Sequence, residues 1–441
     1  MHAAIVLVVL ILTYAGMAAG RIAWLQVDRT GIALLAVITL LASGQMTLDD
    51  FGSDVDMPTI AFMFAMMIIS AQFAEAGFID FCARTIFSGD FSSRGVGTAR
   101  PRGAAALLAL TVALGGALSA VLATDILIVA IAPLLIVGAQ DRGYDPRPLL
   151  IALAAATNAG SAATLIGNPL NILIGSVGRL DFWRFLAICA VPALFSLAVV
   201  FTVVWLQWRA RITQSVFVPP PRDHGSRGDP KAALDPPAVP AHALDRNQTL
   251  KGIAALFILF ILFATPLPRE IGALIIAALL LANRKITSRT MIAAVDWPLL
   301  LLVSCLFALT GALNHSGIAA HILNFLTDHR LLPGSLVLLA PFSLLASNAI
   351  GGVPASMLLL QLWPSAPPGV LYGLALLSSL AGNLLLTGSL TNLLIAERAE
   401  RMRVRLGFAD YARAGVPIAL ISIGFAVCWL ALLGVLPLLP G

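Results

Sequence analysis

The chain has 441 residues, 59% of them hydrophobic and 11% charged, far below the roughly 25% charged residues of a soluble globular domain. Apolar runs near the ~20 residues that cross a bilayer recur from end to end, which indicates an all-α polytopic membrane protein and excludes a soluble enzyme. The formal net charge of +5 comes from basic residues in loops beside those runs, a topology signal rather than a nucleic-acid surface.

Taken in order, Met1–Gly20 reads as a first spanning helix and not a signal peptide, because no basic segment precedes it while Arg21 and Arg29 follow it. Spans are expected at Ala3–Ala19, Gly31–Ser43, Pro58–Ala76, Leu149–Val177 and Phe185–Trp208. Between the third and fourth, Gly103–Ala139 is interrupted at Leu122-Ala123-Thr124-Asp125 and is too short for two crossings, which predicts a re-entrant hairpin. Arg209–Asn247 is polar, carries seven prolines and predicts a flexible linker. Spans resume at Gly252–Ala264, Gly272–Ala282, Pro298–Leu313, Gly369–Ala396 and Val416–Leu438. A second hairpin, Leu331–Leu362, is interrupted at Ser347-Asn348 and again at Gly351-Gly352-Val353-Pro354. The expected organisation is therefore a first membrane repeat (1–208), a cytoplasmic linker (209–249) and a second repeat (250–441). Together these make about ten transmembrane helices, two re-entrant hairpins and two broken helices.

An odd number of spans per half requires the second half to insert upside down. In that layout every one of the 27 Lys and Arg residues lies on one face except Arg179, Arg184, Arg269 and Arg330. The positive-inside rule then makes this a multi-pass inner-membrane protein, with both termini periplasmic and the linker cytoplasmic.

The most informative stretch is Thr164–Ile174. Gly167, Asn168, Pro169 and Asn171 sit inside an apolar run, where proline removes a backbone donor and unpaired amides cost several kcal/mol each. Broken helix at membrane depth is tolerated where it is buried in protein or lines a cavity. An offset of 221 lays Leu165–Ile174 over Leu386–Ile395, with Gly167 on Gly388, Asn168 on Ser389 and Asn171 on Asn392. A second match, at an offset of 240, lays Val55-Asp56-Met57-Pro58 over Val295-Asp296-Trp297-Pro298 and Gly77 over Gly317. Matched interruptions in two halves point to a transporter binding site.

The expected site therefore joins two hairpin tips (Thr124, Asp125, Ser347, Asn348) to two helix breaks (Gly167, Asn168, Pro169, Asn171, Gly388, Ser389, Thr391, Asn392). Free carbonyls and half-helix N-termini there suit cations and anions respectively, and a sodium ion is expected at the Asn168 and Asn392 breaks. Asp125 is a proton or cation carrier or, alternatively, a helix cap. Asn158, Ser161 and Thr164 share a helix side leading to the first break. Replacing Asn168, Asn171 or Asn392 by Ala is expected to abolish transport while leaving folding largely intact.

Gly167-Asn168-Pro169-Leu170-Asn171-Ile172, following Gly160-Ser161-Ala162-Ala163-Thr164, resembles the signature of the ion transporter superfamily of arsenite permeases, citrate and dicarboxylate transporters and certain sodium/proton antiporters. The family's first hairpin tip commonly reads Asn-Asp where this chain has Thr124-Asp125, and Gly352 stands where a further Asn often precedes Val353-Pro354. The resemblance implies a secondary active transporter of a small anion or oxyanion, coupled to sodium or protons. A sodium/proton antiporter on the same scaffold is the alternative. Arsenite is slightly favoured over citrate because no Arg or Lys falls in a predicted span core. The expected surroundings are the lipid bilayer, with no organic cofactor and no nucleic acid; a homodimer is one option for the assembly. No enzyme motif such as GxSxG or HExxH occurs.

Overall fold

The computed structural model describes residues 2–19, 27–87, 103–214 and 243–439. Among the described residues each half folds as ten α-helices in the same order. The first half runs α1 (His2–Ala19), α2 (Arg29–Ala42), α3 (Leu48–Asp54), α4 (Met57–Glu75), α5 (Phe78–Phe87), α6 (Ala104–Ser119), α7 (Thr124–Gln140), α8 (Arg147–Ser161), α9 (Pro169–Val177) and α10 (Phe182–Gln214). The second runs α11 (Arg246–Leu262), α12 (Arg269–Leu281), α13 (Ser288–Ala293), α14 (Trp297–His315), α15 (Ile318–Asp328), α16 (Leu336–Ala349), α17 (Gly352–Leu362), α18 (Pro368–Ala381), α19 (Leu390–Arg401) and α20 (Phe408–Leu432). A 3-10 turn, Leu386–Gly388, precedes α19.

Local chemistry explains the boundaries. Pro58 and Pro298 occupy first-turn positions of α4 and α14, where a missing N–H costs nothing. Asp296 caps the second by accepting from Leu299 N–H at 3.0 Å. Thr47 and Asp50 form a reciprocal capping box on α3. Among the described residues four helices, α4, α10, α14 and α20, are long and apolar enough to cross a membrane. The two broken pairs cross as α8 with α9 and α18 with α19, and α6–α7 and α16–α17 form the hairpins. The short helices α3, α5, α13 and α15 lie where the sequence reading had connecting segments.

The inversion is visible in one helix pair. Along α10 and α20, Trp429 Nε1–H donates to Ile188 O at 2.9 Å, Ser196 Oγ bonds Ser422 Oγ at 2.9 Å, and Gln207 Nε2–H donates to Arg413 O at 2.9 Å. Positions rise in one helix as they fall in the other, so the pair is antiparallel. Ser196 and Ser422 stand equally far from the starts of their helices, so this bond marks the pseudo-two-fold axis. Other contacts obey the same exchange: α4 packs on α12 as α14 packs on α2, and α7 on α19 as α17 on α9. The offset is 240 from α2 to α5 and 221 at α8 and α9 because the link before α6, and α7 itself, are longer than their partners in the second half.

Close packing within a half relies on missing side chains. A Cβ on Gly160 would stand 2.5 Å from Gly116 Cα, so α6 and α8 touch backbone to backbone. Much of the outer surface is apolar, with Leu194, Leu206 and Phe257 exposed, as a lipid-facing belt requires. Of the predicted linker, residues 215–242 lie outside the described residues. Where the chain is described again, Asp245 N–H donates to Ala76 O at 3.0 Å and the Asp245 carboxylate meets Lys285 Nζ at 2.7 Å, tying α11 to the first half. The Lys285 ammonium, together with the Gln248 and Asn247 amides, holds the Asp245 carboxyl below the usual carboxylate range.

Candidate functional site

Each helix break is closed by one buried asparagine. Asn171 Nδ2 donates to Ser161 O (3.1 Å) and Thr164 O (2.9 Å), two of the carbonyls released by the break, and its Oδ1 accepts from Ser379 Oγ at 3.1 Å. Asn392 does the same in the second half, donating to Gly382 O (2.8 Å) and Leu385 O (3.1 Å) and accepting from Asn158 Nδ2 at 3.0 Å. At the offset of 221 these partners are equivalent one for one. The carbonyls are thus paired inside the protein, as a buried break demands. Asn171 and Asn392 brace the breaks, so the expectation that Ala leaves folding intact gives way for these two positions.

The following half-helices begin at the caps. Asn168 is extended (φ −149°, ψ 159°) and its Oδ1 accepts from Asn171 N–H at 2.7 Å, while Nδ2 reaches Ser161 Oγ (3.0 Å) and, across the two-fold, Ser379 Oγ (3.2 Å). Ser389, its equivalent, accepts from Thr391 N–H at 3.2 Å and donates across to Asn158 Oδ1 at 3.1 Å. Asn158 and Ser379 therefore clasp the two repeats together at the breaks, and Asn383 joins them by accepting from Asn158 Nδ2 (2.9 Å) and donating to Ala155 O (3.3 Å). Pro169, at the first turn of α9, costs no hydrogen bond there.

Both hairpin tips reach these caps. The first turns at 120–123, where Ala123 N–H donates to Ser70 Oγ of α4 at 2.8 Å and Thr164 Oγ1 donates to Ala120 O. The second turns at Ile350–Gly351, with Gly351 at φ +99°, a region open to glycine. Ser347 and Asn348 accordingly lie in the last turn of α16, one turn before the tip. Asn348 Nδ2 donates to Leu344 O (2.8 Å) and Ala381 O (2.9 Å), while its Oδ1 lies against Gly388 with no donor.

A small cavity of about 100 Å³ lies where the four elements meet. Of the residues the sequence singled out, Thr124, Asp125, Asn168, Pro169, Gly388, Ser389 and Thr391 line it. Gly167 lies behind Asp125 and Asn168 in a minor adjoining void, Asn171 and Asn392 stand behind the wall as braces, and Ser347 and Asn348 sit one turn back. Asn158 and Ser161 line the cavity; Thr164 turns away to the first hairpin. Three polar lining residues, Arg29, Ser378 and Ser379, had not been singled out as site residues. Ser379 was legible, being Asn158 displaced by 221. Arg29 was not, because it precedes its apolar run and reads as a loop charge.

The two sides of the site differ. Beyond Asp125 a vestibule of about 660 Å³ opens between α7 and α19, lined by Glu75, Asp80, Val129, Asp296 and Arg398. At the equivalent places on the other side, His315 (for Glu75) bonds Asp54 Oδ1 at 2.9 Å and Asn314 Nδ2 donates to Gln361 Oε1 at 2.7 Å. Val129 is 41% exposed and its equivalent Met357 0%. Among the described residues the vestibule therefore opens toward the α19 end, which carries Arg398 and Arg401, while at the opposite face these contacts join the equivalent segments. Asp125 borders both cavity and vestibule.

Residues 6–368 match the family model described as citrate transporter (CitMHS). The 46 kDa membrane protein of Mycobacterium leprae is 27% identical, covering 97% of this chain and 97% of its own length. The uncharacterized transporter Rv2685 of Mycobacterium tuberculosis is 26% identical, over 92% of this chain and 94% of its own. The mouse P protein is 27% identical over 92% of this chain, which spans 58% of that longer protein. Among solved structures, the Alcanivorax borkumensis YdaH transporter, described as having an unusual topology, aligns with a TM-score of 0.56 at 15% identity over 98% of this chain and 97% of that one. The Neisseria gonorrhoeae MtrF antimetabolite efflux pump aligns at 0.52 and 12% identity, over 98% and 94%. At such identities the structural likeness speaks for the fold alone.

Proposed function

Because the chain belongs to the citrate transporter family, we propose that this membrane transporter carries a small anion or oxyanion by secondary active transport coupled to sodium or protons. The observation that carries the proposal is a cavity where two symmetric helix breaks and two hairpin tips meet, joined through Asp125 to a vestibule on one side. That is the arrangement alternating access needs at a midplane site. The caps present hydroxyls, amides and half-helix N-termini to a ligand, groups that hold an anion without fixing it irreversibly. The family's description as citrate transporters, and a guanidinium in the cavity wall, favour a carboxylate over a neutral species such as arsenite. Asp125 and the Asn168 and Asn392 breaks are the proposed places of the coupling proton or sodium.

A sodium/proton antiporter is the second proposal, favoured by the position of Asp125 between cavity and vestibule. Proteoliposomes separate the two. Sodium-driven uptake of radiolabelled citrate, succinate or phosphate supports the first; proton flux driven by sodium alone, with no anion present, sinks it and supports the second.

A further inference from the structure

We infer that Arg29 is the anion-recognising residue of the central cavity, the group that takes the substrate's negative end. The inference rests on the anion-transport proposal and names how that site tells charge. Arg29 is the first residue of α2, half-buried, and lines the cavity opposite the second hairpin tip. Its Nη1 stands 3.3 Å from where a Cβ on Gly351 would be, so a side chain at that turn would crowd the guanidinium.

Repeat symmetry sharpens the point. Arg269 is the equivalent residue, first in α12, at the offset of 240. Its guanidinium donates to the Leu180 carbonyl and is part of the structure's internal bonding. Arg29, among the described residues, has no carboxylate within ion-pair distance and no hydrogen-bond acceptor. A guanidinium carries five donors in a planar fork matched to carboxylate or oxyanion geometry, and a charge withdrawn from water costs free energy until it is paired. The same residue at the same place in both repeats is thus satisfied by protein in one and left facing the cavity in the other. Asp125 lines the same cavity without pairing to it, so the site is dipolar. The negative end of a substrate goes to Arg29, leaving Asp125 for the proton or cation that travels with it.

The test uses the full chain in proteoliposomes, with radiolabelled citrate, succinate and phosphate as probes. Arg29→Gln is expected to raise the KM of the transported anion at least tenfold while Vmax stays within twofold. Arg29→Lys, which keeps the charge and loses the fork, raises KM about threefold. Arg269→Gln leaves KM unchanged and lowers the unfolding temperature instead. An unchanged KM in Arg29→Gln overturns the assignment of Arg29 and leaves anion transport standing. A wild-type protein that takes up none of the three probes overturns both. Should Arg29→Gln fail to fold, Arg29→Lys decides, and a wild-type KM in that variant overturns the assignment.

Discussion

Asn171→Ala removes a side chain that is fully buried and makes three bonds: two donated to the Ser161 and Thr164 carbonyls and one accepted from Ser379 Oγ. These groups are buried and the alanine methyl offers them no donor, so the carbonyls lose their partner. At about 1 kcal/mol per bond the loss is about 3 kcal/mol; the weaker average of ~0.6 measured between membrane helices sets a floor near 2. For a chain of this size that corresponds to roughly 2–3 °C in unfolding temperature. The thiols supply the assay. Cys82, Cys189 and Cys305 are buried and Cys428 is exposed, so a thiol-reactive fluorophore reports unfolding through the first three. Asn392→Ala loses the equivalent bonds and should fall by a similar amount. The two share no partner, so the double variant should show the sum. If Asn171→Ala unfolds within 1 °C of wild type, the asparagine does not brace the break.

Three further outcomes are expected. In a background lacking Cys428, Val129→Cys reacts with a polar maleimide at least tenfold faster than Met357→Cys, because only the first faces an open vestibule; equal rates would mean the vestibule does not open toward the α19 end as described. Gly160→Ala drives a methyl into the backbone at Gly116 and abolishes folding or lowers the unfolding temperature by 10 °C or more, whereas Gly424→Ala, with nothing within 4 Å, is neutral or slightly stabilising by roughly its helix propensity. Asp245 has a lowered folded-state pKa, so its tie to Lys285 is fully present above the ordinary carboxylate value of about 3.9 and is lost as pH falls through the lowered value; the gap in unfolding temperature between wild type and Lys285→Gln should be complete at pH 6 and close in the acid range below it.

Much of this architecture was legible because the bilayer penalises exceptions. Pro169 and the two asparagines beside it are expensive in an apolar run, so they marked the first break, and the offset of 221 led from them to Ser389 and Asn392. The hairpins were marked by apolar runs too long for one crossing and too short for two. The second tip was misplaced onto Ser347-Asn348 because a polar pair draws the eye, whereas the chain turns at Gly351, where positive φ is required. Helices α5 and α15 were missed because short amphipathic helices carry no bilayer-length signal.

From the residues alone came the membrane class, the two inverted halves and the helix breaks, since each follows from a local cost that only one kind of structure can meet. Only the tertiary structure decided which polar groups face the cavity and which are spent on bracing. It alone separated Asn168 from Asn171, and Arg29 from Arg269, pairs of like residues whose difference lies in whether a protein carbonyl happens to stand within reach. It also decided which face is open. Two repeats whose elements correspond one for one leave open which of the two states exchanged by the pseudo-two-fold axis is adopted, and the choice rests on contacts such as His315–Asp54 and Asn314–Gln361 that form between segments far apart in the chain.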